Sequence, residues 1–361
     1  MDLPSILRFA VSNGASDIHL QAGAAPMLRV KGQMRLLDLP VIGLADARHI
    51  ITQMLPPDRG ANLDDGLVSG LDFSYSADGV GRFRCNAYSH LGRPGLVLRV
   101  IPPAPPSLGS LNLPAVVEDI ALSERGLILV TGTTGSGKST TLAAMIEMIN
   151  MVRSDKIITI EDPVEYLFAN KKSLISQLEV GQDTPSFQQG LRQAMRQDPD
   201  VIVIGELRDV ETLRIALQAA DTGHQVFATV HSSTAWQTIE RIIAMFPPAE
   251  HRLLLSQLAK SIEGIISQRL VTTKEGGRIP AVEILRGTPV TEKFIMENKL
   301  IELSDYLAGG EASMQTFDQH LLDLYNAKTI TGTQALRWST NSEAMSLAMR
   351  GIRRVGGGVK A

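Results

Sequence analysis

The sequence predicts an α/β protein of more than one domain, and three features predict it. Between residues 111 and 285 short apolar runs alternate with helically spaced segments, the order of a parallel sheet covered by helices. One of these runs, Leu127 to Thr131, feeds a glycine-rich loop, Gly132-Thr-Thr-Gly-Ser-Gly-Lys138-Ser139, that opens a helix. A proline cluster, Pro102, Pro103, Pro105 and Pro106, then Ser107 and Gly109, separates this region from a first stretch of short strands.

The totals agree with this class and exclude others. A chain of 361 residues with 44% hydrophobic and 20% charged residues is long enough for two packed domains. A net charge of −3 shows no global bias toward nucleic acid, and no nucleic-acid partner is expected. The single cysteine, Cys85, excludes an internal disulfide and a four-cysteine zinc site, and reads as a small strand hydrophobe. The first residues carry Asp2 and one base, Arg8, without a long apolar run, so they do not read as a secretory signal. No run approaches the roughly eighteen apolar residues that cross a bilayer. A cytoplasmic protein is expected, with any membrane association made through a partner.

Residues 1–101 read as an α+β domain. Ser16 to Leu20 and Met27 to Val30 are strand candidates, Gly32 marks a turn, and Ala45 to Met54 has helical spacing. Leu71 to Tyr75, Arg82 to Ser89 and Leu96 to Ile101 follow as strands, with turns at Asp78-Gly79 and Gly92 to Gly95. Period two puts Arg82, Arg84 and Asn86 on one face and Phe83, Cys85 and Ala87 on the other, with Arg99 turned away from Leu98 and Val100. Residues 102–110 read as a stiff linker and 111–285 as the second domain. From 286 to 361 the pattern turns helical, clearest in Thr316 to Tyr325 and from Gln334, and Gly356 to Gly358 is expected to be disordered.

Within the second domain the strand candidates are Leu127 to Thr131, Lys156 to Ile160, Val201 to Ile204 and Gln225 to Val230. Each ends in polar or charged groups: the glycine loop, Glu161 with Asp162, Glu206, and His231. Ligands of open α/β sheets bind outside the carboxyl ends of the strands, so these groups are expected at one edge. The loop fits G-x-x-x-x-G-K-[ST] at every fixed position. Its glycines let backbone N–H groups approach an anion, and the helix beginning at Lys138 aims its positive end at the same point. Leu142, Met145, Ile146 and Ile149 carry that helix. The loop is therefore a phosphate cradle made of Gly132, Thr133, Thr134, Gly135, Ser136, Gly137, Lys138, Ser139 and Thr140. A nucleotide is the expected ligand, Lys138 reaches its β- and γ-phosphates, and Ser139 holds Mg²⁺.

Glu206 is the candidate to orient or deprotonate an attacking water, or to hold Mg²⁺ through water; a helix-start carboxylate is the simpler alternative. Glu161, with Asp162 and Glu165, is a second acidic group, beside the alternative of a solvated turn around Pro163. His231 follows a strand directly and can report a γ-phosphate, whereas His224 lies at that strand's other end. Arg84 and Arg99 are candidates to reach a neighbouring subunit's phosphates, or are simply a solvated face.

GASDIHL, RFRCNAY, LRVIPP, the phosphate loop, TIEDPVE, RQDPDVIVIGELRD, TGHQVFATVH and MQTFDQ, in this order over nearly the whole chain, resemble the PilT-like retraction ATPases of type IV pili. The resemblance implies a PAS-like N-terminal domain, a RecA-like P-loop NTPase domain and a helical C-terminal tail. It also implies a homo-hexameric ring with ATP between subunits, at the pilus base and peripheral to the inner membrane. Its partners would be the inner-membrane platform protein and a paralogous retraction ATPase. It assigns Lys138 and Ser139 to nucleotide and Mg²⁺, Glu161 and Glu206 to the acidic network, His231 to the His box, and Arg84 and Arg99 to ATP across the subunit interface. At Thr288 to Lys299 the chain reads TPVTEKFIMENK where the family carries Ala-Ile-Arg-Asn-Leu-Ile-Arg. An accessory PilU-like motor or a nucleotide-binding regulatory subunit is therefore the alternative, ahead of an extension or type II secretion ATPase.

Overall fold

The computed structural model describes residues 2–55, 63–355 and 358–360. They form two compact units, Met1–Ala104 with Glu165–Leu167, and Pro105–Val164 with Phe168–Ala361.

The first unit is an antiparallel sheet with helices on one face. Its strands are β1 (Ala15–Gln21), β2 (Met27–Val30), β3 (Gln33–Leu36), β4 (Leu71–Ala77), β5 (Gly81–His90) and β6 (Arg93–Ile101), in the order β3-β2-β1-β6-β5-β4. Helices α1 (Leu3–Ser12), α2 (Leu44–Met54) and α3 (Leu63–Ser69) contribute Leu7, Ile51 and Leu67 to a core that also holds Ile18, Phe83, Cys85 and Leu98. The alternation of β5 works as the sequence predicts: Phe83, Cys85 and Ala87 are buried, and Arg84 is exposed on the opposite face.

In the second unit the sheet has seven strands: β7 (Gly126–Thr131), β8 (Lys156–Glu161), β9 (Leu174–Glu179), β10 (Val201–Ile204), β11 (Gln225–Val230), β12 (Ile262–Thr272) and β13 (Arg278–Arg286). Their order is β13-β12-β7-β11-β10-β8-β9, parallel throughout except for β13, which pairs antiparallel with β12. Alternate residues of the central strands enter two cores. Leu127, Leu129, Ile202, Ile204, Val226 and Ala228 pack against α6 (Phe187–Ala194), α7 (Val210–Asp221), α8 (Ala235–Met245) and α9 (His251–Ser261). Ile128, Val130, Val201, Val203 and Phe227 pack against α4 (Val116–Ala121) and α5 (Lys138–Val152). Burial on both faces explains why these strands read as unbroken apolar runs.

The remaining helices are α10 (Pro289–Met296), α11 (Leu300–Ala308), α12 (Phe317–Asn326), α13 (Gly332–Trp338) and α14 (Ser342–Met349). α10 starts at a Thr288/Thr291 capping box, packs beside α9, and its Ile295 joins the same core. Phe317, Leu321, Leu324, Ala335 and Met345 pack instead on Val271, Ile279 and Ala281 at the far end of the β12–β13 hairpin. Gly356 and Gly357, where disorder is expected, lie outside the described residues; Gly358 begins a short strand, Gly358–Lys360, that pairs with Arg353–Val355. Among the described residues no helix is long and apolar enough to cross a membrane.

Candidate functional site

All six residues of β7 are buried, so the strand is a fixed base for the loop that follows. Gly137 turns into α5 at φ 92°, a conformation that L side chains rarely adopt, and a Cβ there would stand 2.6 Å from Gln268 Nε2. A Cβ on Gly132 would stand 2.5 Å from both Ser136 Oγ and Gln268 O. Gly132 and Gly137 are thus required by close approach of the loop to itself and to Gln268. Thr133 to Gly135 are exposed while Ser136 is buried, and its Oγ has no hydrogen-bond partner among the described residues. An orphaned donor at the N-terminus of a 15-residue helix fits an anion. Lys138 is 8% exposed, and its Nζ donates to Gly132 O at 2.9 Å and to Thr133 O at 3.1 Å. Ser139 and Thr140 follow on the first turn of α5, partly exposed. Among the described residues no group of three or more His, Cys, Asp or Glu forms a metal site. A cation would take the Ser139 hydroxyl together with phosphate oxygens and water, a donor set that suits Mg²⁺.

Gln268 on β12 is a residue that motif reading missed. Its side chain is 3% exposed, its Nε2 donates to Ser136 O at 2.8 Å, and its Oε1 accepts from Thr141 Oγ1 at 2.8 Å. The loop is therefore braced from the neighbouring strand, and Thr131 Oγ1 adds a 2.8 Å bond to Ser267 Oγ. Gln268→Leu breaks both bonds and leaves buried partners unpaired, about 1–3 kcal/mol each. A roughly tenfold or greater loss of ATP affinity is expected, measured by nucleotide titration. An unchanged affinity would remove Gln268 from the site.

Glu206 ends β10 with its carboxylate in two contacts: Oε2 lies 2.7 Å from Arg208 Nη2, and Oε1 lies 3.2 Å from His231 Nε2. His231 leaves β11, the strand between β7 and β10. Its other ring nitrogen, Nδ1, lies 3.4 Å from Lys138 Nζ. A lysine ammonium can only donate, so Nδ1 is the acceptor and Nε2 carries the proton that faces Glu206. Arg208, Glu206, His231 and Lys138 thus form one continuous polar chain across three strand ends. Burial pushes the Glu206 carboxyl up, but the Arg208 hydrogen bond, the charge of Arg208, and His231 and Lys138 together outweigh it and hold the group below the usual range. The sequence singled out Glu206, His231 and Lys138. Arg208, two residues beyond Glu206, was legible in the same motif and was passed over.

Glu161 ends β8, next to β10, but its described partners lie elsewhere: Oε1 accepts from Thr159 Oγ1 at 2.7 Å and from Gln177 Nε2 at 3.3 Å. Glu161 and Glu206 therefore stand at the ends of adjacent strands. Asp162 is exposed, and its charge acts on Arg208. Glu165 falls in the first compact unit. His224 lies before β11, where Nδ1 contacts Ala219 O at 2.9 Å, away from the strand ends that carry the loop. Arg84 and Arg99 belong to the first unit, where they oppose each other across β5 and β6. Arg99 Nε lies 3.0 Å from Asp17 Oδ1.

Known proteins resemble this chain in sequence and fold. Residues 82–307 match the family described as Type II/IV secretion system protein. The chain is 42% identical to the type IV pilus retraction ATPase PilT of Pseudomonas aeruginosa, over 90% of this chain and 94% of that one. It is 36% identical to the type IV pilus ATPase PilU of the same organism, over 97% and 92%. A crystal structure of the pilus retraction motor PilT with bound ADP superimposes with a TM-score of 0.88 at 42% identity, covering 95% of this chain and 98% of that one. A family match over residues 82–307, with a relative and a solved structure that each cover 90% or more of the chain at 42% identity, makes this chain a member of the type II/IV secretion ATPase family, in its PilT-like group.

Proposed function

We propose that this protein is an ATP-hydrolysing motor, assembled as a homo-hexameric ring, that drives type IV pilus retraction from the cytoplasmic face of the inner membrane. The observation that carries this reading is the chain from Lys138 through His231 to Glu206, at 3.4 and 3.2 Å, beside a phosphate loop. It links the residue that binds phosphates to the residue that handles water. Lys138 and the N–H groups of Gly135 to Ser139 hold the phosphates of ATP. Glu206 orients the attacking water and takes up its proton, with Glu161 as a further carboxylate on the next strand. His231, in contact with both Lys138 and Glu206, transmits the presence of the terminal phosphate to the base. Mg²⁺, held by Ser139 and by Glu206 through water, would neutralise charge on the phosphates. Arg84 and Arg99 act on the ATP of the neighbouring subunit. The ring passes the resulting rigid-body motion to a membrane platform protein at the pilus base.

ATP hydrolysis per subunit, measured over a range of protein concentrations, tests this reading. A rate that climbs with concentration is expected, because the active site is completed by a second subunit. Binding without turnover at every concentration would leave a regulatory subunit instead. One feature favours an accessory, PilU-like role alongside a paralogous motor: Thr288 to Lys299 lacks both arginines of the retraction segment. Restored pilus retraction by this chain alone, in cells without other retraction motors, would dismiss that second reading.

A further inference from the structure

One buried acid has no part in the chemistry described so far. Glu283 sits on β13 opposite Ser267 of β12, with 8% of its surface exposed. A carboxyl buried to this depth is costly unless it is bonded. Its Oε1 accepts the backbone N–H of Ala235 at 2.7 Å, and Ala235 is the fully buried first residue of α8. That N–H is one of the helix-start donors with no partner inside the helix. The N-cap Thr234 serves a different one, that of Gln237. The start of α8 is thus pinned to the sheet by a side chain from another strand.

Helix α8 in turn holds the segment that leaves β11. Arg241 Nη1 donates to His231 O at 2.8 Å, Thr238 Oγ1 donates to Thr234 O at 2.7 Å, and Ser232 Oγ lies 2.6 Å from Thr238 Oγ1. We propose that Glu283 is a positioning residue for His231: by fixing the start of α8 it fixes where the imidazole stands between Lys138 and Glu206. This inference rests on reading the site as one that hydrolyses ATP. The β12–β13 hairpin then sets both halves of the site, since Gln268 braces the phosphate loop and Glu283 braces the His231 segment.

Burial pushes Glu283 up to about 7, against the Ala235 N–H and the charge of Arg269 on β12, while Asp318 on α12 pushes it further up. Acid and carboxylate both present an oxygen to Ala235 N–H, so reach matters more than charge. That sets an order of variants opposite to charge conservation. Glu283→Gln keeps the reach and is expected to retain turnover within about threefold. Glu283→Asp keeps the charge, falls one methylene short, and is expected to lower kcat about tenfold or more with KM for ATP little changed. In a His231→Ala background Glu283→Asp should cost nothing further, because the residue it positions is gone. Additive losses, or an Asp variant that outperforms Gln, would overturn the proposal. Amide exchange at Ala235 gives a readout without turnover: it should speed up in Glu283→Asp and not in Glu283→Gln, and unchanged exchange in the Asp variant also overturns the proposal. A wild type with no ATP hydrolysis but with this exchange pattern would sink the motor reading and leave the anchor standing.

Discussion

Glu206→Gln is expected to lower kcat for ATP hydrolysis by roughly two to four orders of magnitude, the usual worth of a positioned acid or base, while nucleotide affinity changes little. The asymmetry follows from where the carboxylate sits. In the proposed site Lys138, Ser136 and the loop N–H groups take the phosphates, and Glu206 stands beyond Lys138, linked to it through His231. An amide is nearly the same shape, so the pocket survives, but it cannot take up a proton. The pH dependence has a defined sign. The folded pKa of Glu206 is depressed below 4.5, so its contribution is present above the ordinary glutamate range and is lost only as pH falls through the lowered value. The acid limb of the rate profile therefore lies below the ordinary carboxylate range. Removing the Arg208 guanidinium should move that limb upward. A Gln variant that alters KM and spares kcat would instead make Glu206 a binding residue.

Much of this site was legible because parallel strands with two buried faces announce themselves. Val201 to Ile204 and Leu127 to Val130 are unbroken apolar runs, and the polar residue that ends each one has to stand at the sheet edge. The β12–β13 hairpin escaped notice for the opposite reason. Its strands mix Gln268, Arg269 and Glu283 with apolar residues, and this pattern resembles a solvated strand until the partners are known. Those partners are far away in sequence: Gln268 braces Ser136, and Glu283 reaches Ala235. No local window contains both members of either pair. β9 was hidden differently. Its residues are mostly half-buried at the sheet margin, so it lacks both the apolar run of a central strand and the clean alternation of a one-sided one.

The first unit sets two arginines face to face. Arg84 and Arg99 stand directly opposite each other on β5 and β6, and like charges in that position destabilise a sheet by up to about 1 kcal/mol. Asp17 on β1 receives Arg99 at 3.0 Å and Arg29 at 3.8 Å, which offsets part of the cost on one side of the row. A pair of arginines held against that repulsion on an exposed face is suited to an anion that arrives from outside, such as the phosphates of a neighbouring subunit's ATP. Arginines supplied in this way are worth about 10³–10⁵ in kcat. Arg84→Ala is therefore expected to abolish most turnover while thermal stability holds or rises slightly. Mixing subunits separates this role from a structural one. Arg84→Ala and Glu206→Gln are each expected to turn over little alone, but in the proposed ring a mixture would contain interfaces where an intact Glu206 meets an intact Arg84. Recovered hydrolysis on mixing places the arginine in trans. Failure to recover, in rings shown to exchange subunits, would return Arg84 to the solvated face of its own sheet.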